Sequence, residues 1–184
     1  MTETAIRILG VDPGLRKTGW GMIAVSGARM AWIGHGVIRP ATDAPLAERL
    51  RAIVQGLQAV ITEHAPDCAA VEETFVNQNP RSTLLLGQAR GAAMVGLSLA
   101  GLAVEEFAAR KVKQCIVGTG AADKAQMGFM IARLLPKAGK MGEDEADALA
   151  VAITRANHLN APSAATSAAR SPRIGKRPDW KASA

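Results

Sequence analysis

The fold is decided by the stretch Ile8-Leu9-Gly10-Val11-Asp12-Pro13-Gly14, an apolar run that ends on a carboxylate and turns at once. Apolar residues before a Pro-Gly pair predict a short strand that is buried on both faces, as in the middle of a sheet. Asp12 would then lie at the end of a central strand, on the rim where ligands of α/β folds collect. Asp before Pro-Gly is also ordinary turn chemistry, so this residue alone leaves both roles open.

The remaining pattern predicts a mixed sheet with helices on its faces. Two further strand-like runs are joined by Ser26-Gly27-Ala28, a plausible hairpin loop, which predicts an antiparallel meander at the start of the chain. Short apolar runs and helical spacing then alternate, and short links favour packing into layers. The predicted strands after the first are 18–25, 29–38, 68–72 and 103–107, and the predicted helices are 44–64, 82–99, 109–117, 123–135 and 143–157.

Length and composition are those of one globular domain. The chain has 184 residues, of which 48% are hydrophobic. No N-terminal segment resembles an export signal, and Gln88 and Arg90 interrupt the only long apolar stretch, Leu84–Val104, so we expect no membrane association. Cys68 and Cys115 are isolated and stand in no metal-ligand spacing. Reduced cysteines and a cytoplasmic location are therefore expected.

The formal charge of +6 is unevenly distributed. From Asn160 onward the chain holds five basic residues and one acidic residue, in a context of Ala, Ser and Pro without periodicity. Such a segment cannot bury enough apolar surface to fold, so residues 160–184 are predicted to form a disordered basic tail. Residues 1–159 are predicted to be the folded domain. A positive surface around an acidic centre would suit a polyanion held at a metal site.

Further carboxylates could reach the rim of Asp12. Glu72 ends the second buried strand as Asp12 ends the first, and parallel neighbours would place the two side by side. Close, buried like charges repel unless a cation neutralises them. The last helix opens with acidic residues, which the helix dipole also favours. Asp147 could share a face with Asp144 or with Glu143, and spacing does not separate these choices.

Oxygen ligands without His or Cys are typical of Mg²⁺ or Mn²⁺ and not of zinc. A pair of such ions is the usual device for phosphodiester displacement, since one activates the attacking water and the other stabilises the leaving oxygen. The spacing of the acids along the chain is by itself a weak signal.

Several separated blocks of sequence form a recognisable series. In order, they are Leu9-Gly10-Val11-Asp12-Pro13-Gly14 with Thr18-Gly19-Trp20-Gly21, Val71-Glu72-Glu73-Thr74-Phe75, Leu86-Gly87-Gln88-Ala89-Arg90-Gly91, Ala108-Ala109-Arg110-Lys111-Val112-Lys113-Gln114, Gly118-Thr119-Gly120 with Lys124, and Asp144-Glu145-Ala146-Asp147-Ala148-Leu149-Ala150. Together these blocks resemble the RuvC family of bacterial Holliday-junction resolvases. The resemblance covers residues 6–158 and leaves out the tail.

This resemblance implies a ribonuclease-H-like α/β fold, in which an antiparallel meander joins parallel strands between layers of helices. It also implies four metal-binding catalytic carboxylates. By motif these are Asp12, Glu72, Asp144 and Asp147. The resemblance thus selects Glu72 over Glu73 and Asp144 over Glu143, although some members have His at the position of Asp144.

DNA-binding residues also follow from the resemblance. Phe75 matches an aromatic residue that contacts junction bases, and Lys113 and Lys124 match lysines near the scissile phosphate. Arg110 lies within a matching block, while Arg81 lies in the less similar segment after Phe75. Without the resemblance, Phe75 would be interpreted as a core residue and both lysines as solvated.

The implied function is a metal-dependent endonuclease that nicks two strands of a four-way junction symmetrically during recombination and repair. Two Mg²⁺ ions per subunit are expected, with Mn²⁺ as a substitute, and the implied partners are a second copy of the chain and the RuvA–RuvB branch-migration machine. One alternative is a module that binds junction DNA without cutting it. A second is an ATP-binding domain of the actin and sugar-kinase group, which needs two such domains and for which 184 residues are too few.

Overall fold

The apolar run that opens the chain forms the central strand of a five-stranded sheet. The computed structural model describes residues 4–73 and 79–160. The strand order is β3-β2-β1-β4-β5, in which β1 pairs antiparallel with β2 and parallel with β4. The strands are β1 (Ile6–Asp12), β2 (Thr18–Ser26), β3 (Arg29–Ile38), β4 (Cys68–Glu73) and β5 (Ala103–Ala108). The predicted combination of an antiparallel meander with parallel strands is confirmed.

In the described part of the chain, five α-helices connect and cover these strands, and local chemistry sets their ends. Asn79 caps α2 by accepting hydrogen bonds from the backbone N–H groups of Arg81 and Ser82, so the helix begins two residues earlier than the apolar pattern indicates. Asp123 and Gln126 form a capping box at the start of α4. The helices are α1 (Leu46–His64), α2 (Pro80–Leu99), α3 (Ala109–Val117), α4 (Lys124–Leu134) and α5 (Glu143–Asn160).

Successive side chains of β1 point to opposite faces of the sheet, so they contribute to a core on each face. Leu9 and Val11 pack with α1 and α2 on one face. Ile8 packs on the other face with α5, which lies against the sheet, and with α3 and α4. Asp12 has the parity of Ile8, so its side chain belongs to the face of α5.

None of the helices in the described ranges is long and apolar enough to cross a membrane. Two predictions fall on residues outside those ranges. Phe75 is one, and the tail is the other, except for Asn160, which is the last residue of α5.

Candidate active site

Parallel pairing places Asp12 and Glu72 side by side. Val11 of β1 is in register with Val71 of β4, and each carboxylate follows its valine directly. The two side chains therefore occupy one row on one face of the sheet, at the carboxyl ends of both strands. Burial and then the negative charge of Asp12 raise the pKa of Glu72, and the second cause is the one expected of neighbours.

The start of α5 is brought to the same rim by glycines in the sheet. A Cβ atom added at Gly10 would overlap the carbonyl oxygen of Ala148, and one added at Gly19 would overlap that of Asp144. Gly19 is also the β2 partner of Asp12, so the first turn of α5 passes directly over this position. Because these positions lack side chains, the helix backbone lies close to the sheet and carries Asp147 with it.

The resulting cluster is electrostatically strained. Burial, together with the charges of Asp147 and Asp144, raises the pKa of Asp12 from 3.8 to about 7. Burial and the charges of Asp12 and Asp147 raise the pKa of Glu72 from 4.5 to about 8. The pKa of Asp147 is also raised, mainly by burial. Because burial removes the hydration of these carboxylates, their charge near neutral pH must be neutralised by bound protons or by a cation.

Two predicted DNA-binding lysines flank the carboxylates. Their positive charges offset a small part of the rise in pKa that burial and the neighbouring acids cause, with Lys113 acting on Glu72 and Lys124 acting on Asp12. Lys113 is half-buried. Lys124 is exposed and forms an ion pair with Glu143, with 2.5 Å between Nζ and Oε2. Both lysines can therefore present charge to a phosphate close to the acidic rim.

The two acids that spacing left open make different contacts. Asp144 faces the site, because its charge acts on Asp12 and its Oδ2 lies 3.3 Å from Nζ of Lys17. Glu143 forms an ion pair with Lys124, and its charge also contributes, after burial, to the raised pKa of Asp147. Lys17 was not among the predicted site residues. The only signal for it is its place just after the turn that follows Asp12, and spacing alone does not connect it with a helix more than a hundred residues away.

The two predicted arginines lie on helices other than α5, Arg110 on α3 and Arg81 on α2. Arg110 is exposed on α3, and its side chain covers Gly120, where an added Cβ would meet the arginine Cγ at 2.6 Å. Arg81 is exposed in the first turn of α2.

The fit of this site to a divalent cation rests on donor chemistry and charge. Within residues 4–73 and 79–160, no three Asp, Glu, His or Cys side chains already form a group that could hold a metal ion. The carboxylates are nevertheless close enough to repel, and they offer only oxygen donors in a partly buried site. Mg²⁺ and Mn²⁺ prefer such donors, and a cation would remove the repulsion.

This chain is similar to known proteins over most of its length. The family model described as crossover junction endodeoxyribonuclease RuvC matches residues 8–155. The chain belongs to the RuvC family. The matched range contains all four carboxylates. A RuvC protein from Hyphomonas neptunium is 60% identical over 157 residues, covering 85% of this chain and 94% of the relative. Another, from Caulobacter vibrioides, is 62% identical over 151 residues, covering 82% and 89%.

A solved structure extends the RuvC comparison to three dimensions. T. thermophilus RuvC, in complex with a Holliday junction substrate, superposes with a TM-score of 0.78 at 30% identity, covering 84% of this chain and 95% of the other. The predicted fold class is confirmed.

Proposed function

We propose that this protein is a crossover junction endodeoxyribonuclease that resolves four-way DNA junctions. The observation that carries the proposal is the meeting of Asp12, Glu72, Asp144 and Asp147 from β1, β4 and α5 at one rim, in a chain that belongs to the RuvC family. RuvC proteins more than half identical to this chain carry that enzyme name.

The four carboxylates are proposed to bind two Mg²⁺ ions per subunit, for which Mn²⁺ can substitute. When bound, the ions supply activation of the attacking water and stabilisation of the charge on the leaving 3′ oxygen. Asp12 and Glu72, which lie in one row, would hold the ions, and the bound charge would offset the repulsion between these carboxylates and the reacting phosphate. The expected products are 5′-phosphate and 3′-hydroxyl ends that can be religated.

Lys113 and Lys124 are proposed to hold the phosphates next to the scissile bond. Both act on the carboxylates through their charge, so a phosphate that contacts either lysine lies close to the rim. Arg110 and Arg81 are proposed to contact the DNA backbone farther out. Such contacts fix the position of the DNA but carry no sequence information.

Paired symmetric nicks require two active sites, and α2 offers a surface for a second copy of the chain. Leu84, Val95 and Leu99 are 70%, 53% and 73% exposed. Gly87 and Gly91 lie on the same side of the helix, where an added Cβ would meet nothing within 4 Å. An apolar stripe with glycines lets a second helix approach closely. We therefore propose a homodimer that forms through α2.

Three proposals rest on sequence similarity and composition. Phe75, outside the described residues, is proposed to stack on bases at the crossover, which is typically worth about 1–3 kcal/mol per base. Residues 160–184 are proposed to add non-specific DNA affinity through their basic charge. The RuvA–RuvB machine is proposed as a partner.

A cleavage assay tests the function directly. A labelled four-way junction is incubated with and without Mg²⁺, beside linear duplex and an RNA–DNA hybrid as comparators. We expect two symmetric nicks in the junction that depend on Mg²⁺. Binding of the junction without cutting would support the non-catalytic alternative, and equal cutting of the linear duplex would contradict junction specificity.

A further inference from the structure

The loop between β1 and β2 is held rigidly and presents two basic side chains. Oγ1 of Thr18 donates to the carbonyl of Gly14 at 2.8 Å, which closes the loop. Nη2 of Arg49, from α1, donates to the carbonyl of Leu15 at 2.9 Å and braces it from outside. Leu15 is buried beneath, while Arg16 and Lys17 are exposed. The loop is therefore ordered before any ligand arrives, which lowers the entropic cost of binding.

This loop forms one wall of a groove that leads to the acidic rim. The groove has a volume of about 640 Å³, and the first turns of α2 form its opposite wall. Leu85 and Leu86 supply apolar surface, and Asp144 is also part of the lining. One end of the groove is therefore continuous with the cluster of carboxylates.

The groove lies on the opposite side of the carboxylates from Lys113. Lys113 acts on Glu72, which belongs to β4. Lys17 instead contacts Asp144, whose carbonyl lies over Gly19 of β2. Since β1 lies between β2 and β4, the carboxylates have positive charge on both sides along the rim.

We propose that this groove binds a phosphodiester of the cleaved DNA strand on the β2 side of the site, with Arg16 and Lys17 as its phosphate ligands. Arg49 is a positioning residue that fixes the loop. Lys17 is 54% exposed, so its ammonium group can leave Asp144 for a phosphate with little desolvation. The apolar surface of Leu85 and Leu86 suits a sugar or a base face. This proposal rests on the proposed function, and it defines the path of the strand across the site.

Salt dependence of binding tests the proposal. Junction affinity is measured in EDTA, where the DNA is not cut, over a range of salt concentrations. Each phosphate contact contributes about 0.9 to the slope of log K against log salt. We expect Arg16→Gln and Lys17→Gln each to lower the slope by about one. The matched control is Arg29→Gln, which removes an exposed arginine at the other end of the sheet and should leave the slope unchanged.

Uncharged analogues of single phosphates can locate the phosphate that Lys17 contacts. Single methylphosphonates are placed along the cleaved strand of the junction, and each is tested with the wild-type protein and with Lys17→Gln. The substitution and one particular methylphosphonate should each weaken binding severalfold, but together they should cost no more than either alone.

Two results would overturn binding in the groove in a wild-type protein that still binds junctions. One is additive losses of affinity for Lys17→Gln and the methylphosphonate at every position, and the other is a wild-type salt slope for both Arg16→Gln and Lys17→Gln. A wild-type protein that did not distinguish a junction from linear duplex would instead overturn the proposed function.

Discussion

Acidic side chains of the sheet lie at both ends of α5, but they meet further acids at one end and basic side chains at the other. At the amino-terminal end, Asp12 and Glu72 meet further carboxylates, and their pKa values rise to about 7 and about 8. At the carboxyl-terminal end, Glu105 of β5 accepts from Arg155 at 2.7 Å and contacts His158 at 2.5 Å. One helix thus compensates an acid at one end and adds to the repulsion at the other.

This difference separates a structural site from a functional one. An acid whose partner cation comes from the same chain needs nothing more to be stable. A set of partly buried acids that repel each other costs stability unless a cation from outside offsets the charge. Loss of an acid should therefore have opposite effects at the two ends of α5.

Cleavage should show the largest contrast. We expect Asp12→Asn or Glu72→Gln to lower the rate of junction cleavage in Mg²⁺ by well over 100-fold, since even partners of metal ligands commonly cost about 10–100-fold. Junction binding should remain, because the basic residues are intact. Glu105→Gln is the matched control and should cleave at nearly the wild-type rate per folded molecule. Single-turnover assays measure this, and wild-type cleavage by Asp12→Asn would remove that residue from the site.

Stability should change in opposite directions at the two ends. In EDTA at pH 8, Glu105→Gln should lower the free energy of unfolding by about 1–3 kcal/mol, because Arg155, largely buried, loses its carboxylate partner. Asp12→Asn should raise it by a similar amount, since it removes a charge that is buried among like charges. Urea unfolding measures both. If both variants were destabilised, the amino-terminal acids would be structural as well.

The effect of Asp12→Asn should depend on pH with a definite sign. Because the pKa of Asp12 is higher in the folded state than in the unfolded chain, this carboxyl contributes stability below about pH 4, and the contribution is lost as the pH rises towards 7. In EDTA, the gain in melting temperature of Asp12→Asn over wild type should therefore be small at pH 5 and largest at pH 8.

At pH 8, Mg²⁺ should make the wild-type protein more stable than Asp12→Asn. Only the wild-type site should bind the ion tightly, and ligands that bind the folded state raise its stability. A gain in melting temperature that did not vary with pH would contradict the strained cluster.

Much of the fold could be predicted because its signals are local. The apolar run that ends at Asp12 and the hairpin turn at Gly27 are each visible in a short stretch of sequence. The strands that they predict lie where expected. Parallel pairing then made Asp12 and Glu72 neighbours through simple register. The choice of Glu72 over Glu73 agrees with the alternation of β4, since Glu73 has the opposite parity.

The rest depends on clearance between distant segments. Whether α5 can approach the sheet depends on Gly10 and Gly19, and their role appears only when the helix lies over them. The pair of Lys17 with Asp144 and the pair of Glu105 with Arg155 join residues that are far apart in the chain. No periodicity indicates such pairs, so the positive charge beside Asp144 and the compensated end of α5 both came from the structure.

The smallest expected effect concerns the ion pair that borders the acidic end. Lys124 must leave Glu143 to bind a phosphate, so Glu143 should weaken DNA binding while it keeps that lysine in place. Glu143→Gln should therefore tighten junction binding about twofold to fivefold at low salt, the ~0.4–1 kcal/mol of an exposed ion pair. The control is Glu63→Gln, an exposed acid of α1 on the other face of the sheet, which should change affinity little.

Fluorescence anisotropy with a labelled junction in EDTA can resolve this difference. The gain should disappear when Lys124→Ala is added, because the freed lysine is its cause, and it should shrink as salt screens the contact. If Glu143→Gln tightened binding equally with and without Lys124, the acid would act by direct repulsion of the DNA. Lys124 would then have no special place among the phosphate contacts, and the phosphate-binding role beside the carboxylates would rest on Lys113.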